Sequence, residues 1–138
     1  RKKDIAITAG GKNLTPSLIE NTMKASTYIK ECIVVADGRR FVTALIQIDF
    51  DMVANWADGQ GIGYTTFRAL VEQPAVVALI QREIDRENER LANVERIKKV
   101  HLLTKELDHD DGEVTATMKI RRAKITQAYE SEIAALYA

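Results

Sequence analysis

Hydrophobic and polar residues alternate along parts of the chain in a way that predicts three strands of one sheet. Residues 28–36 and 41–48 are rich in β-branched side chains and are joined by Asp37-Gly38, a pair typical of hairpin turns. In the second stretch alternate positions are apolar, so we expect a hairpin with one buried face. Residues 99–103 predict a third strand.

The beginning of the chain predicts a smaller β-hairpin module. Ile5 and Ile7 stand among smaller residues in the stretch 4–13, which ends in the double glycine Gly10-Gly11 and Lys12-Asn13. Glycine adopts positive φ without strain and lets another molecule approach the backbone, so this pattern indicates a strand that ends in a tight turn.

Two prolines predict the starts of helices. Thr15-Pro16 offers a hydroxyl N-cap followed by proline at the first helical position, and this helix should end near residues 25–26. Pro74 begins a longer helix, whose charged residues at 82–90 we assign to its solvated face. The predicted buried face of that helix consists of Val77, Ile80, Ile84 and Leu91.

Shorter patterns predict the remaining helices. Asp49 or Asp51 can cap a helix that ends at the loop 59–61, and residues 64–66 lead into another. A polar loop at 104–117 precedes a last helix with one apolar side, made of Ile125, Ala128, Tyr129, Ile133, Leu136 and Tyr137. The expected fold class is therefore α+β, with the N-terminal β-hairpin module and a small antiparallel sheet of about three strands covered by helices.

Composition favours one compact domain and narrows the class of partner. Of the 138 residues 46% are hydrophobic, and 20 basic side chains balance 20 acidic ones, so no overall charge attracts nucleic acid. No apolar stretch approaches the roughly 18 residues that span a bilayer. The single cysteine, Cys32, lies in an apolar run, which favours a buried thiol and a reducing compartment such as the cytoplasm. Because the chain begins at Arg1 without a methionine or a signal sequence, we expect a piece of a longer protein.

Most catalytic signatures are absent from the sequence. His101 and His109 lack the spacing of metal ligands or of a nucleophilic triad, and His101 fits a packed histidine in a strand. The acidic residues at 108–113 lack the spacing and closing glutamate of an EF-hand loop, so we interpret them as a solvated loop. No metal site is predicted.

Two stretches remain as candidates for chemistry. The first is Thr8-Ala9-Gly10-Gly11-Lys12-Asn13, and the second is Asp111-Gly112-Glu113 through Lys119 to Arg122. Each stretch alone has an ordinary explanation, because turns use glycine and surfaces use lysine in most proteins.

Together and in this order the two stretches resemble motifs of a known superfamily. Residues 1–13, followed by Thr15-Pro16 and Ile19-Glu20, are similar to the hinge region of acyl-adenylate-forming enzymes. Residues 43–46 and 61–65 resemble the long-chain fatty-acyl-CoA synthetase branch in particular, and residues 113–122 are similar to its terminal lysine motif. The resemblance extends over essentially all 138 residues. It departs from the motif at Ala116, where this branch often has proline, and at Met118, where many relatives have glycine.

The resemblance implies that residues 1–138 are a C-terminal lid domain, with a hinge and Gly-Gly hairpin at 1–14 and an α+β body at 15–138. Its partner would be the enzyme's own large N-terminal adenylation domain, which is absent from this chain. The implied reaction joins a long-chain fatty acid to ATP, giving acyl-AMP and pyrophosphate, and then transfers the acyl group to CoA. The isolated chain is expected to be inactive, and peripheral membrane association of the full protein is left open.

The resemblance also implies roles for single residues. Lys119 would be the catalytic lysine of the adenylation step and a nucleotide-binding residue. Gly10, Gly11 and Lys12 would lie along the path of CoA. Mg²⁺ would arrive with ATP, held by its phosphates and by the absent domain.

Further roles follow for the two ends of the chain. Arg1 would touch the ribose of the nucleotide, and Lys3 would be the hinge at which the backbone absorbs the rotation of the lid. Arg121 and Arg122 would fix the lysine loop or cover phosphates, and plain surface charge explains them equally well.

Two other interpretations stay open at the level of sequence. An acyl-AMP ligase could pass the acyl group to a carrier protein instead of CoA. A non-catalytic interaction module could share the fold, in which case Lys119 would be dispensable.

Overall fold

The computed structural model describes residues 5–108, 110–117 and 119–138. Their elements, in chain order, are β1 (Ala6–Ile7), β2 (Asn13–Leu14), α1 (Pro16–Met23), β3 (Ile29–Val35), β4 (Val42–Ile48), α2 (Phe50–Gly59), α3 (Phe67–Val71), α4 (Pro74–Asn88), a 3₁₀ turn (Asn93–Glu95), β5 (Ile97–Leu102), α5 (Arg122–Ala128) and α6 (Glu130–Leu136). The predicted α+β class, the N-terminal hairpin and the three-stranded sheet are confirmed.

Local signals position the starts of the helices well. Pro16 and Pro74 stand at the first turns of α1 and α4, and the Asp49 side chain caps α2 by accepting from the Met52 amide at 3.2 Å. Thr15 occupies the N-cap position of α1, but its side chain makes no capping hydrogen bond.

The main sheet is mixed, so the prediction of an antiparallel sheet is wrong for its last strand. The strand order is β3-β4-β5; β3 and β4 form the antiparallel hairpin, whereas β5 runs parallel to β4, with Val42 opposite Ile97 and Ile46 opposite Leu102. The three helices α2, α3 and α4 separate β4 from β5. A long helical crossover of this kind returns the chain in the same direction, which a short turn cannot do.

Strand β4 is buried on both faces, contrary to the prediction of one buried face. All seven of its residues are buried, because β4 is the central strand and each face has its own core. Ala44 and Ile46 belong to the larger core under α1, α2 and α4, and Leu45 belongs to the smaller one. The smaller core comprises Ile33, Val35, Leu45, Leu103, Leu107, Val114, Ile125 and Ile133.

The predicted buried face of α4 is confirmed at Ile80 and Ile84, but Val76 takes the place of Val77 in the core. Val76 is fully buried, whereas Val77 is 47% exposed. Two residues of the charged run, Glu83 and Glu87, are buried as well, where Glu83 accepts from the Ser26 hydroxyl at 2.6 Å. The whole run is therefore not a solvated face. Arg86 and Ser26 bind the Glu83 carboxylate, and Arg90, which follows the helix, binds the Glu87 carboxylate.

The predicted last helix is divided in two at Tyr129, whose φ of −108° and ψ of 26° lie outside the helical region. Ile125 and Ile133 are buried on either side of this break, as predicted, whereas Ala128 is exposed. Within the described part of the chain, no helix combines the length and the apolar character needed to cross a membrane.

Candidate functional site

The double-glycine turn is closed by one threonine and one lysine. The Thr8 amide donates to the Lys12 carbonyl at 2.9 Å, and the Lys12 amide donates to the Thr8 hydroxyl at 3.1 Å. Gly11 has a φ of +83°, a conformation that residues with a side chain rarely adopt. A β-carbon at Gly11 would find no atom within 4 Å, and at Gly10 only the Thr8 hydroxyl at 4.0 Å. The backbone of this turn is therefore open to contact with another molecule.

Backbone hydrogen bonds attach this hairpin to the turn between β3 and β4. The Ala9 amide donates to the Arg39 carbonyl, and the Gly38 amide donates to the Ile7 carbonyl, both at 2.8 Å. The Ile7 amide donates to the Asp37 carboxylate at 3.0 Å. The hairpin is thus continuous with the body of the domain, although its own strands pair at only two positions, Ala6 with Leu14 and Ile7 with Asn13.

The loop that carries Lys119 is closed in the same way. The Thr115 amide donates to the Lys119 carbonyl at 2.8 Å, and the Lys119 amide donates to the Thr115 hydroxyl at 3.0 Å. Beyond this closure, Val114 and Ile120 form an antiparallel bridge. The backbone of Lys119 is therefore fixed, while its side chain is exposed.

A buried carboxylate supports one end of the Lys119 loop. Glu113 is 5% exposed, and its carboxylate accepts from the Lys105 ammonium and, at 3.1 Å, from the Asp108 amide. Its carbonyl accepts from the Arg121 amide at 3.0 Å. Burial by itself would lower the pKa of Lys105, but hydrogen bonds to Glu113 and Asp111 outweigh it and raise that pKa.

The other end of the loop runs into α5, whose first residue is bound to α1. Arg122 donates to both carboxylate oxygens of Glu20 and to the Val34 carbonyl. This guanidinium, 32% exposed, is therefore bound to both α1 and β3.

A cleft of about 720 Å³ lies between the hairpin module and the start of α5. Its apolar lining includes Ile5, Val35 and Ala123, and its cationic lining includes Arg39 and Lys124 beside Arg121 and Arg122. The sequence pattern did not single out Arg39 or Lys124, because nothing local distinguishes them from other surface cations.

The structure places some of the predicted site residues together, places one apart from them, and does not describe the others. Gly10, Gly11 and Lys12 share one turn, and Lys119 lies in a separate loop with no hydrogen bond or ion pair to that turn among the described residues. Arg1 and Lys3, predicted to bind ribose and to form the hinge, lie outside the described residues, as do His109 and Met118.

Burial shifts the pKa of two other side chains that could take part in chemistry, Cys32 and His101. Burial, and next the nearby Glu20 carboxylate, raise the pKa of the Cys32 thiol well above its usual range, which disfavours the nucleophilic thiolate. Burial lowers the pKa of His101, whose ring lies 6.4 Å from that of Tyr129. In residues 5–108, 110–117 and 119–138 there is no group of three or more metal-ligating His, Cys, Asp or Glu side chains.

The sequence as a whole matches one protein family. The family model described as the C-terminal domain of AMP-binding enzymes matches residues 3–138. The long-chain-fatty-acid–CoA ligase FadD15 of Mycobacterium tuberculosis is 33% identical over 143 residues, which cover 99% of this chain and 23% of the ligase. The peroxisomal long chain acyl-CoA synthetase 6 of Arabidopsis thaliana is 27% identical over 140 residues, covering 99% of the chain and 20% of the synthetase. The chain thus spans less than a quarter of the length of these relatives.

Solved structures share the fold at lower sequence identity. The adenylation domain of a carboxylate reductase from Mycobacterium chelonae matches with a TM-score of 0.77 and 19% identity, covering 99% of this chain and 20% of that one. A fatty acyl CoA synthetase from Mycobacterium tuberculosis matches with a TM-score of 0.58 and 18% identity, covering 96% of this chain and 21% of that one. At these identities the likeness concerns the fold alone.

Proposed function

The chain belongs to the family of AMP-binding enzyme C-terminal domains, and we propose that it is the mobile lid of a long-chain fatty acid–CoA ligase. The full enzyme would activate a fatty acid with ATP to acyl-AMP and pyrophosphate, and then transfer the acyl group to the CoA thiol with release of AMP. Relatives named as long-chain fatty-acid–CoA ligases, 27% and 33% identical over nearly the whole chain, support this choice of substrate.

The observation that carries the proposal is the geometry of the Lys119 loop. Two hydrogen bonds with Thr115 fix the Lys119 backbone, while the side chain extends from an exposed surface. This arrangement suits an ammonium group that a partner domain must receive, because its base is ordered and its four-carbon stem can reach into a cleft. In adenylation the ammonium would neutralise charge that develops between the fatty-acid carboxylate and the α-phosphate of ATP.

The double-glycine turn would serve the second step. Because no atom lies within 4 Å of a β-carbon position at Gly11, the pantetheine arm of CoA could pass close to the main chain there. Lys12 is exposed beside the turn and would receive an anionic group of CoA or of the partner domain. Among the described residues no hydrogen bond or ion pair joins the two loops, which fits a lid that presents each of them in a different orientation.

The remaining roles concern the partner domain and the bound nucleotide. Lys3 would be the hinge and Arg1 would contact the ribose, next to the large adenylation domain that supplies the acyl pocket. Mg²⁺ would be held by the ATP phosphates and by that domain.

The experiment that tests the proposal replaces Lys119 by alanine in the full-length enzyme and measures the two half-reactions separately. Loss of a single positioned electrostatic group costs about 10²–10³-fold in rate, so acyl-AMP formation should fall by that factor. Transfer of the acyl group from supplied acyl-AMP to CoA should change much less. Lys30→Ala removes an exposed lysine from β3 and serves as the matched control.

Each alternative function has its own outcome in this experiment. If both half-reactions of Lys119→Ala equal those of Lys30→Ala, Lys119 is a surface charge and the lid mechanism is wrong. If the wild type forms acyl-AMP but transfers it only to a carrier protein and never to CoA, the enzyme is an acyl-AMP ligase for carrier proteins.

A further inference from the structure

An ion pair with two hydrogen bonds joins α1 to the first residue of α5, which follows the Lys119 loop in the sequence. Arg122 Nη1 lies 2.5 Å from Glu20 Oε2, and Nη2 lies 2.9 Å from Oε1, so the guanidinium and the carboxylate meet along parallel edges. The side chains are 32% and 12% exposed, respectively. A paired, partly desolvated arrangement of this kind fixes direction as well as distance, since both groups are planar.

Both partners of this pair are also bound to the same residue of β3. Arg122 Nη1 donates to the Val34 carbonyl at 3.1 Å, and the Val34 amide donates to Glu20 Oε2 at 2.8 Å. Val34 faces the larger core and is 3% exposed. The ion pair is therefore anchored to the sheet, and it holds the first residue of α5 at a defined place on it.

The position of this anchor in the chain makes it relevant to Lys119. Only Ile120 and Arg121 separate Lys119 from Arg122, and the Arg121 amide is bound by the Glu113 carbonyl. The loop is thus held by Glu113 on one side and by Arg122 on the other. Helix α5 has seven residues and begins at Arg122 itself, so it has no earlier turn that could provide this anchorage.

We infer that Glu20 and Arg122 are positioning residues for Lys119. The ion pair holds the C-terminal end of the Lys119 loop on β3, so that the exposed ammonium extends from a base that does not shift. This inference rests on the proposed role of Lys119 in adenylation. It goes beyond that role because it assigns a function to Glu20, which lies 99 residues before Lys119 in the sequence.

The test measures both half-reactions in the full-length enzyme carrying Arg122→Ala, Arg122→Lys or Glu20→Gln. A misplacement of about 1 Å can cost roughly 10²-fold in rate, so kcat for acyl-AMP formation should fall by about 10- to 100-fold in Arg122→Ala. The KM values for ATP and fatty acid, and the rate of acyl transfer to CoA, should stay within about threefold, because no substrate contact is removed. Arg122→Lys should retain more activity than Arg122→Ala, because it keeps the charge but only one of the two parallel bonds.

Glu87→Gln is the matched control for loss of a buried ion pair. The Glu87 side chain on α4 is 5% exposed and pairs with Arg90 at 2.9 Å, and among the described residues no hydrogen bond or ion pair joins Glu87 to either loop. It should lower the melting temperature to a similar degree as Glu20→Gln without slowing adenylation selectively. If Glu20→Gln and Arg122→Ala slow both half-reactions equally, in proportion to their loss of stability, the pair is merely structural and the inference is overturned.

A double-mutant cycle with Lys119 separates positioning from direct contact. If Arg122 acts through Lys119, adding Arg122→Ala to Lys119→Ala should cost less than about twofold more, because residues that act as one unit are not additive. If the two losses multiply, or if Arg122→Ala is severe while Glu20→Gln is harmless, Arg122 contacts substrate itself and the positioning role is refuted.

The same cycle distinguishes failure of this inference from failure of the proposed function. If Lys119→Ala abolishes acyl-AMP formation while both Arg122 variants match Glu87→Gln, the function stands and the inference is wrong. If Lys119→Ala itself leaves acyl-AMP formation intact, the proposed function is wrong and the inference falls with it.

Discussion

The double-glycine turn and the Lys119 loop are closed by the same pair of hydrogen bonds, although they lie more than 100 residues apart. In each, a threonine amide donates to the carbonyl of a lysine four residues later, at 2.9 Å for Thr8 and 2.8 Å for Thr115. The lysine amide then donates to the threonine hydroxyl, at 3.1 Å for Lys12 and 3.0 Å for Lys119. Both loops share the sequence Thr-Ala-x-x-Lys, so the same short motif presents a lysine at two places on the domain.

What differs between the two loops is their attachment to the domain. The hairpin of the double-glycine turn is held mainly by backbone hydrogen bonds to the β3–β4 turn. The Lys119 loop is held by charged side chains, Glu113 with Lys105 on one side and Arg122 with Glu20 on the other. Although the two loops are closed by equivalent hydrogen bonds, we expect substitutions that remove charge to destabilise the Lys119 loop more than the double-glycine turn.

The largest effect should follow from Glu113→Ala, which removes the carboxylate under the Lys119 loop. The Asp108 amide would lose its side-chain acceptor, and the Lys105 ammonium would keep Asp111 but lose Glu113. An unmade bond of a buried group costs about 1–3 kcal/mol, so we expect the free energy of unfolding to fall by about 2 kcal/mol. Urea denaturation measures this loss.

Hydrogen exchange at two equivalent amides sharpens this comparison. Glu113→Ala should speed exchange of the Thr115 amide and leave the Thr8 amide unchanged, since only the first belongs to the loop that Glu113 supports. Glu106→Ala removes an exposed acid nearby and is the control. Equal acceleration at both amides would show that the two loops are not attached independently.

A medium effect should distinguish the two glycines of the hairpin. Gly11→Ala places a β-carbon at a φ of +83°, which costs about 1–2 kcal/mol in the left-handed region. Gly10→Ala meets only the Thr8 hydroxyl at 4.0 Å and has no positive φ, so its free energy of unfolding should change by less than about 0.5 kcal/mol. If the two variants were equally stable, the turn would tolerate side chains at both positions, and a backbone requirement for glycine would be refuted.

The smallest effect should come from the threonine hydroxyls that close the two loops. Thr8→Val should lower the free energy of unfolding by about 1 kcal/mol, because Thr8 is 8% exposed and its hydroxyl is a sheltered acceptor. Thr115→Val should cost less, since water can reach the more exposed Lys119 amide. Thermal unfolding of the two variants side by side measures the difference. A greater loss in Thr115→Val would mean that this hydroxyl does more than close its loop.

Elements that depend on neighbours in the sequence were predictable. Pro16 and Pro74 identify helix starts, and the cap of α2 was narrowed to Asp49 or Asp51, because backbone geometry and a capping carboxylate act within one turn of the chain. The Asp37-Gly38 pair identifies the turn of the main hairpin for the same reason, as Gly38 adopts a φ of +70°. The two lysine-bearing loops and their order could also be identified from the sequence, because each loop is a contiguous motif.

Features that depend on distant contacts were not predictable from local patterns. The parallel pairing of β5 and the burial of both faces of β4 depend on where α2 to α4 and the C-terminal helices pack. Val76 replaces Val77 in the core because packing selects the rotation of α4, which its periodicity only approximates.

Local sequence patterns were sufficient to predict the α+β class, the main hairpin turn, the helix starts and the two loops that present a lysine. The pairing of Arg122 with Glu20 and the burial of Glu113 under the Lys119 loop were visible only in the folded domain. The two kinds of feature differ in the range of the interactions that create them. Capping and turn geometry act over a few residues, whereas an ion pair between α1 and α5 depends on the sheet that places both helices at Val34.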